Sequence, residues 1–250
     1  MSGVLIIKPL PIAATPTVTG TGAANLLTVD PNEAWIAPSA ASLTIDIDMG
    51  AAVTVDSFYL GYTNADAAAT WAIQRGITLG GGLVTIKPSG AMRASDSDGP
   101  RHHCFARLAA PATSRFFRLI LSQAGGQPLY AGALILGVAF EKHREFGEGR
   151  TPIDTGTRQD LPGGGFGIGE GVVKAQFAFT FADLTIAERN ALWSIKKDRG
   201  LSRPVLLVED ADLATGMNDA IHYGVFERFQ AYERVNPAYT RWAGSVIEWV

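Results

Sequence analysis

Short alternations of apolar and polar residues, each closed by turn residues, dominate the first part of this chain and limit its possible folds. In residues 42–48 every second side chain is apolar, until Gly50 interrupts the pattern. A period of two places alternate side chains on opposite faces of a strand. The same pattern predicts further strands at 53–62, 70–74, 82–87, 103–108, 116–122 and 132–140. Strands this short favour a β-sandwich or jelly roll over residues 1–140.

A capped helix is the best-defined element of the remaining sequence. Thr185 and Glu188 have the spacing of a capping box, and Gly200 suits the left-handed backbone that follows a helix end. The sequence therefore predicts a helix over 186–199, with Trp193 on its outward face. The apolar face expected to cover a sheet consists of Ala187, Ala191, Leu192 and Ile195.

Strands are predicted on both sides of this helix. Residues 174–181 alternate, and the phenylalanines of this segment share one strongly apolar face. Further strands are predicted at 205–209, 222–229 and 242–249. We expect residues 172–250 to form an antiparallel β domain with one α-helix, so the whole chain is predicted to be mainly β.

Residues 141–171 separate the two predicted units and contain nine glycines. This segment is longer than an ordinary connection in a compact domain, which predicts a loop or arm that is mobile or ordered by a partner. The charge density also changes here. Residues 1–140 carry 8 Lys+Arg and 8 Asp+Glu, whereas residues 141–250 carry 13 and 16. This increase in charge density supports two units with different surfaces.

The composition disfavours several classes of function. The net charge is −3, so no basic field is available to neutralise the phosphates of a nucleic acid. No apolar run reaches the roughly 18 residues that a membrane span needs, and we expect no membrane insertion. Residues 1–14 lack the pattern of a signal peptide, which predicts synthesis in the cytoplasm. A single cysteine, Cys104, excludes an intrachain disulfide.

The candidate catalytic and metal motifs have simpler structural interpretations. Residues 194–197 match S-x-x-K, but the partner motifs of that enzyme class are missing. Cys104 has neighbouring histidines but no third group to orient one as a base, and a buried thiol is favoured. Two acidic pairs could be calcium ligands, although the second is typical of a turn; they are Asp46/Asp48 and Asp96/Asp98. We expect no enzymatic activity, no cofactor and no metal site.

Trp35 is an aromatic residue for which two roles remain open. An indole ring can stack on a sugar ring or fill a core, and Trp35 lies in loop-like sequence. Trp71, by contrast, lies in an alternating strand and is expected in the core. Trp35 is therefore a candidate sugar-binding residue.

Four segments of the first unit form a series that suggests a known fold. They are an alternating strand ending in Asp48-Met49-Gly50, the strand 53–64, the Trp71 strand and residues 115–121. This series resembles discoidin-like (galactose-binding-like) jelly rolls over residues 35–140. Met49 departs from the usual Leu, and the cysteine pair of the extracellular members is missing. The resemblance implies a β-sandwich more directly than it implies a ligand.

The second unit contains a comparable series. It consists of residues 177–185 leading into 188–192, the strand 203–208, residues 222–226 and a closing Trp-rich strand. Over residues 140–250 the chain resembles distal-tail and tail-tip proteins of tailed phages. The resemblance implies a structural component of a phage or prophage tail tip or baseplate, which forms a homo-oligomeric ring and docks neighbouring tail proteins. Its location would be the virion tail, after assembly in the host cytoplasm.

Two hypotheses follow from these resemblances. For a tail component, the interface candidates lie on the helix and in the glycine-rich segment, and are Glu188, Arg189, Trp193, Lys196, Lys197, Gly164 and Phe166. The alternative is a carbohydrate-binding module for host-surface glycan recognition, with Trp35 as its candidate residue.

Overall fold

The chain is mainly β, with 56% of residues in strands and 8% helical. The computed structural model describes residues 3–94, 101–123, 127–146, 149–210, 212 and 218–249. Asp96 and Asp98 lie outside these residues. The chain forms two compact units, Met1–Glu141 with Val208–Ile221, and Lys142–Leu207 with His222–Val250.

The first unit is an antiparallel β-sandwich. Its strands are β1 Val4–Ile7, β2 Thr17–Val18, β3 Trp35–Ile36, β4 Ser42–Thr63, β5 Thr70–Gly76, β6 Val84–Ala91, β7 His102–Ser122, β8 Tyr130–Ala131, β9 Ala133–Gly137 and β10 Ala139–Lys142, with a 3-10 helix at Ala23–Leu27. The main sheet has the order β2-β4-β7-β5-β6, and β9 also pairs with β4. Strands β3 and β8 form a separate two-stranded ladder.

Two long strands, β4 and β7, replace the four shorter ones predicted for their sequences. They pair from Ser42↔Ser122 to Thr63↔His102, with three interruptions of the register. Gly50 adopts a φ of 78°, which glycine tolerates, so it lies at a bulge within β4 and does not end the strand. One half of this ribbon pairs with β5 and the other with β9. Bulged strands of this kind can contribute to both layers of a sandwich.

The core of the first unit follows from the alternation in its strands. In β4 the apolar positions of residues 42–48 are buried, as the sequence predicts. Trp35, Trp71 and Phe117 are among the largest fully buried side chains of this core. Burial of large apolar side chains supplies most of the favourable free energy of folding.

The second unit is an antiparallel sheet with a helix. Its elements are β11 Arg150–Asp154, β12 Thr157–Asp160, β13 Phe166–Gly169, β14 Val173–Leu184, α1 Ile186–Arg199, β15 Val205–Val208, β16 Ile221–Phe229, β17 Glu233–Arg234 and β18 Thr240–Glu248. The strand order is β15-β16-β18-β14-β11, with β17 on β18. Within the described ranges α1 is the one α-helix, and no helix has the length and apolar composition needed to cross a membrane.

Helix α1 begins with the predicted capping box. The Glu188 backbone N–H donates to the Thr185 hydroxyl at 3.3 Å, and the Glu188 carboxylate accepts from the Thr185 backbone N–H at 2.8 Å. The predicted apolar face is only partly correct. Leu192 and Ile195 are buried, whereas the remaining members of that face, both alanines, are exposed. The helix therefore packs along a narrower stripe than the sequence pattern indicates.

The glycine-rich segment contains strands where a loop or arm was expected. Strand β11 pairs with β14 at the edge of the sheet. Strands β12 and β13 pair with each other from Thr157↔Gly169 to Asp160↔Phe166, as a hairpin outside the main sheet. We call this hairpin, residues 157–169, the arm. Its chain reversal is closed by hydrogen bonds between Leu161 and the glycines that follow it.

Candidate functional site

A cavity of about 440 Å³ opens in the first unit, near the point where β4 ends and β7 begins. Its volume is in the range of small-ligand sites, roughly 300–1,000 Å³. It is lined by Pro31, Asn32, Ala34, Ile36, Tyr62, Asn64, Arg101 and Tyr130. The pairing of Thr63 with His102 brings the residues after β4 close to those before β7.

The ladder of β3 and β8 separates the core from the cavity. Trp35 pairs with Ala131, and Ile36 pairs with Tyr130. Neighbouring residues in a strand face opposite sides. Trp35 is 0% exposed, and its indole N–H donates to the Thr19 carbonyl at 3.0 Å. The sugar-binding prediction for Trp35 is therefore corrected, because a fully buried ring has no face for a sugar to stack on.

Tyr130 and Ile36 form the apolar side of the cavity. Tyr130 is 39% exposed and Ile36 is 40% exposed, so both can contact a ligand. Neither residue was predicted from the sequence, because a two-residue strand has too few positions for its buried face to be identified. The only usable signal was the neighbouring Trp35, whose size favours the core and leaves Ile36 on the other side.

Asn64 fixes the backbone around Tyr130. Its side-chain amide donates to the Pro128 carbonyl at 2.9 Å, and its side-chain carbonyl accepts from the Tyr130 backbone N–H at 2.7 Å. The Gly132 N–H also donates to the Gly61 carbonyl at 3.0 Å. These contacts tie the segment around β8 to the end of β4. The Tyr130 backbone is therefore held in place before any ligand binds.

Tyr62 contributes a strained wall to the cavity. Its φ is 56°, which is rare for an aromatic residue, and it lies where the β4–β7 register shifts. The Tyr62 ring packs edge to face against the His103 ring, with 4.9 Å between the two ring centroids. His103 is held in turn by its backbone N–H to Asn218 at 2.6 Å and by its Nδ1, 2.7 Å from the Tyr59 hydroxyl. Strain of this kind, about 1–3 kcal/mol, persists where the surroundings enforce it and is common at binding sites.

Arg101 and Asn32 form the polar rim. The Arg101 guanidinium donates to the Asn32 side-chain carbonyl at 2.7 Å. Asn32 donates to one Asp30 carboxylate oxygen from its backbone N–H at 2.9 Å and from its amide at 3.1 Å. The cavity thus combines an aromatic ring, an aliphatic side chain and directed polar groups. These groups can bind a ligand with one apolar face and a hydroxyl-rich edge.

The predicted interface residues of α1 lie around a group of aromatic rings. Trp193 is 49% exposed, and its other face stacks on Trp242 with a centroid distance of 6.0 Å. The Lys196 ammonium lies 5.2 Å from the centroid of a Trp242 ring, and the Arg189 guanidinium 5.2 Å from that of Tyr232. Trp193 therefore contributes to packing as well as to the surface.

Two further candidates on α1 differ in how much they are already engaged. The Glu188 carboxylate belongs to the helix cap and also accepts from the Lys142 ammonium at 3.2 Å. Lys142 pairs with Asp183 as well, at 3.3 Å. Lys197 is exposed. The Glu188 carboxylate is thus already bound by groups of the second unit, whereas the Lys197 side chain is exposed at the surface.

Two interface candidates lie in the arm: Gly164 in its turn and Phe166 on one of its faces. Gly164 has a φ of 83° in the chain reversal. The register places Phe166 and Ile168 on the same face, where the Arg158 guanidinium lies 4.6 Å from the Phe166 ring centroid. Phe166 is 56% exposed and Ile168 is 74% exposed. The arm therefore presents apolar side chains that no core covers.

The rejected catalytic and metal candidates have structural roles in the described residues. Burial raises the pKa of the Cys104 thiol to about 12, so it stays protonated at neutral pH and is a poor nucleophile. Asp46 and Asp48 form two-point ion pairs with Arg118 and Arg115. Within the described ranges, no group of three or more His, Cys, Asp or Glu side chains could hold a metal ion.

Comparisons with known proteins give only weak structural similarities. No protein-family profile matches the sequence, and no curated protein matches it. Matched solved structures include the CBM32 of AlyQ in complex with 4,5-unsaturated mannuronic acid, at 17% identity and a TM-score of 0.41 over 52% of this chain and 97% of that one.

Two other matched structures are of different kinds of protein. Chitosan-binding module 1 from a chitosanase/glucanase of Paenibacillus sp. IK-5 is 16% identical, with a TM-score of 0.40 over 52% of this chain and 98% of that one. Reduced XRCC1 bound to the DNA pol beta catalytic domain is 14% identical, with a TM-score of 0.40 over 53% and 99%. Similarity at this level is too low to assign a ligand or a partner to this chain.

Proposed function

We propose that the first unit binds a carbohydrate in the cavity lined by Ile36 and Tyr130. The observation that carries this proposal is the exposed Tyr130 ring, whose backbone Asn64 holds beside a polar rim. Sugar rings have apolar C–H faces and hydroxyl edges. The Tyr130 ring suits the first, and Asn32 and Arg101 suit the second.

The order of the cavity favours binding over an incidental surface cleft. Two hydrogen bonds from Asn64 fix the backbone next to Tyr130. The strained Tyr62 is held against His103. A site that is already ordered loses less conformational entropy when a ligand binds. A weak, flexible ligand such as a saccharide benefits most from this arrangement.

A glycan array followed by titration calorimetry tests the proposal. Wild-type protein should bind at least one class of glycan, and Tyr130→Ala should weaken that binding about tenfold or more, because it removes the stacking surface. Tyr239→Ala is the matched control, since Tyr239 is 44% exposed and belongs to the second unit. Failure to bind any glycan, or equal losses in the two variants, would overturn the proposal.

The arm favours a second function in the same molecule. We propose that the second unit assembles with other copies into a ring in a phage or prophage tail tip or baseplate and docks neighbouring tail proteins. The supporting observation is that Phe166 and Ile168 are exposed on a hairpin outside the main sheet. In this arrangement the first unit would recognise a host-surface glycan. The protein would be located in the virion tail.

Size-exclusion chromatography with light scattering tests the assembly. Wild-type protein should form a homo-oligomer, and a variant with Phe166→Ser and Ile168→Ser should shift toward the monomer. Ile77→Ser in the first unit is the control, because Ile77 is 80% exposed and lies outside the arm. A strict monomer at all accessible concentrations would count against this second function. Detection of the protein in purified tailed particles would support it.

A further inference from the structure

Among the residues that the structure describes around the cavity, Arg101 is the only charged one. The other described lining residues are two tyrosines, two asparagines, Pro31, Ala34 and Ile36, with no Asp or Glu among them. A neutral saccharide needs only neutral donors and acceptors together with an aromatic ring. The presence of a guanidinium therefore constrains the ligand further than the cavity shape does.

The partner of Arg101 is neutral, unlike the partners of the three arginines that follow it in the sequence. Arg101 donates to the amide carbonyl of Asn32 at 2.7 Å. Carboxylates pair with the three arginines that follow, at 2.5–2.8 Å; these pairs are Arg107–Glu141, Arg115–Asp48 and Arg118–Asp46. In the described part of the chain, no carboxylate lies within ion-pair distance of Arg101. The described residues thus leave the Arg101 charge without a carboxylate partner, and a ligand could supply one.

The position of the guanidinium is set by a short chain of hydrogen bonds. Asp30 accepts two hydrogen bonds from Asn32, and Asn32 accepts one from Arg101. A guanidinium has five N–H donors, so most of those on Arg101 are left for other acceptors. The planar fork of these donors matches a carboxylate or sulfate better than a single hydroxyl.

Building on the proposed function, we infer that the saccharide is anionic, with a carboxylate or sulfate that pairs with Arg101 while a sugar ring lies on Tyr130. Both residues line the same cavity, so one ligand can contact both. A single cation fits a ligand with one or a few negative groups. It does not supply the several phosphate contacts that nucleic-acid binding requires.

Titration calorimetry with matched probes tests the charge requirement. One pair is oligogalacturonate and its methyl ester, which differ in the carboxylate charge. The other pair is a sulfated galacto-oligosaccharide and its unsulfated form. We expect at least one charged probe to bind about tenfold or more tightly than its neutral counterpart, because a charge-assisted hydrogen bond is roughly twice as strong as a neutral one. The preferred pair identifies the anion as a carboxylate or a sulfate.

Variants of Arg101 separate charge recognition from sugar binding. Arg101→Gln should lower the affinity for the charged probe to that for its neutral counterpart, so that the preference between the two is lost. Arg101→Lys should keep part of the preference, since it retains the charge without the planar fork. Arg75→Gln is the matched control, because Arg75 is exposed on β5 and does not line the cavity. It should leave the preference unchanged.

The outcomes distinguish this inference from the function on which it rests. Equal affinity of wild-type protein for the charged and neutral members of both pairs would overturn the inference and leave carbohydrate binding intact. A preference that survives Arg101→Gln would also overturn it. Absence of binding to every probe, together with a negative glycan array, would overturn the proposed function itself.

Discussion

The cavity of the first unit and the arm of the second unit both expose an aromatic ring, but only the cavity supports that ring from behind. Tyr130 lies on a ladder whose other side is the buried Trp35, and Asn64 holds its backbone. Phe166 lies on a hairpin whose opposite face contains Gly167 and Gly169. An exposed aromatic ring can therefore belong to an ordered surface or to a segment without packing behind it.

This difference predicts two kinds of recognition. The cavity is organised before its ligand arrives, and such sites bind with little rearrangement. An isolated two-stranded hairpin is marginally stable in water, so the arm needs a partner surface to hold one conformation. This contrast supports the two proposals, ligand binding in the cavity and assembly through the arm.

The largest expected effect comes from removing the support behind Tyr130. Trp35→Ala should lower the free energy of unfolding by about 3–5 kcal/mol, because it leaves a cavity in the core. Urea denaturation followed by circular dichroism would measure the loss. Tyr130→Ala, on the exposed side of the same ladder, should cost less than about 1 kcal/mol. Similar losses in the two variants would contradict the contrast between a buried and an exposed side.

The next effect concerns the clamp on the Tyr130 backbone. Asn64→Ala should lower the free energy of unfolding by about 1–2 kcal/mol, since it removes two hydrogen bonds. It should also weaken glycan binding although Tyr130 itself is retained. Chemical denaturation and calorimetry report the two effects. Asn190→Ala, on the exposed surface of α1, serves as the control, and unchanged glycan affinity in Asn64→Ala would argue against a preorganised ring.

A smaller effect is expected in the arm. Phe166→Ser and Ile168→Ser should each change the free energy of unfolding of the monomer by less than about 0.5 kcal/mol, because neither side chain is packed in a core. Denaturation at concentrations too low for association would measure this. A loss above about 2 kcal/mol would show that the arm is packed within its own chain.

The smallest effect is a pH dependence in the first unit. A hydrogen bond from Arg115, followed by one from the Gly50 backbone N–H, lowers the pKa of Asp48 from 3.8 to about 2. A lowered carboxyl pKa stabilises the folded state above the unfolded value, and this contribution is lost as the pH falls from 3.8 toward 2. In thermal denaturation across this pH range, the melting temperature should fall less steeply with decreasing pH in Asp48→Asn than in wild type.

A residue of the arm provides the control for this pH dependence. The Asp160 carboxylate makes no hydrogen bond or ion pair to the residues that the structure describes. Asp160→Asn should therefore leave the decline unchanged. Two results would count against assigning this pH dependence to the Asp48–Arg115 pair. One is a melting temperature that falls with pH as steeply in Asp48→Asn as in wild type, and the other is a shallower fall in Asp160→Asn.

Features that depend on nearby residues were predictable from the sequence. The capping box of α1 joins residues three positions apart, and the alternation in 42–48 correctly placed Leu43, Ile45 and Ile47 in the core. The division of β4 and β7 into shorter strands was wrong. Glycine and polar residues interrupt a pattern in the same way whether a strand ends or bulges, and only pairing with a second strand distinguishes the two cases.

The candidate site was harder to predict because its residues are far apart in the chain. The contact between Asn64 and Tyr130 spans 66 positions, and the contact between Arg101 and Asn32 spans 69. Trp35, the residue predicted to bind a sugar, is the buried member of the ladder whose Ile36 and Tyr130 line the cavity. Its neighbour Ile36 faces the cavity, and the choice between the two faces depends on which side the core occupies.

The sequence by itself determined the mainly β class, the sandwich of the first unit and the capped helix of the second, because periodicity and capping act over a few residues. Only the tertiary structure decided that Trp35 is buried, that Tyr130 and Arg101 line one cavity and that the glycine-rich segment contains paired strands. Those outcomes depend on long-range pairing and on which side chains the core excludes from water. Local patterns specify neither of these.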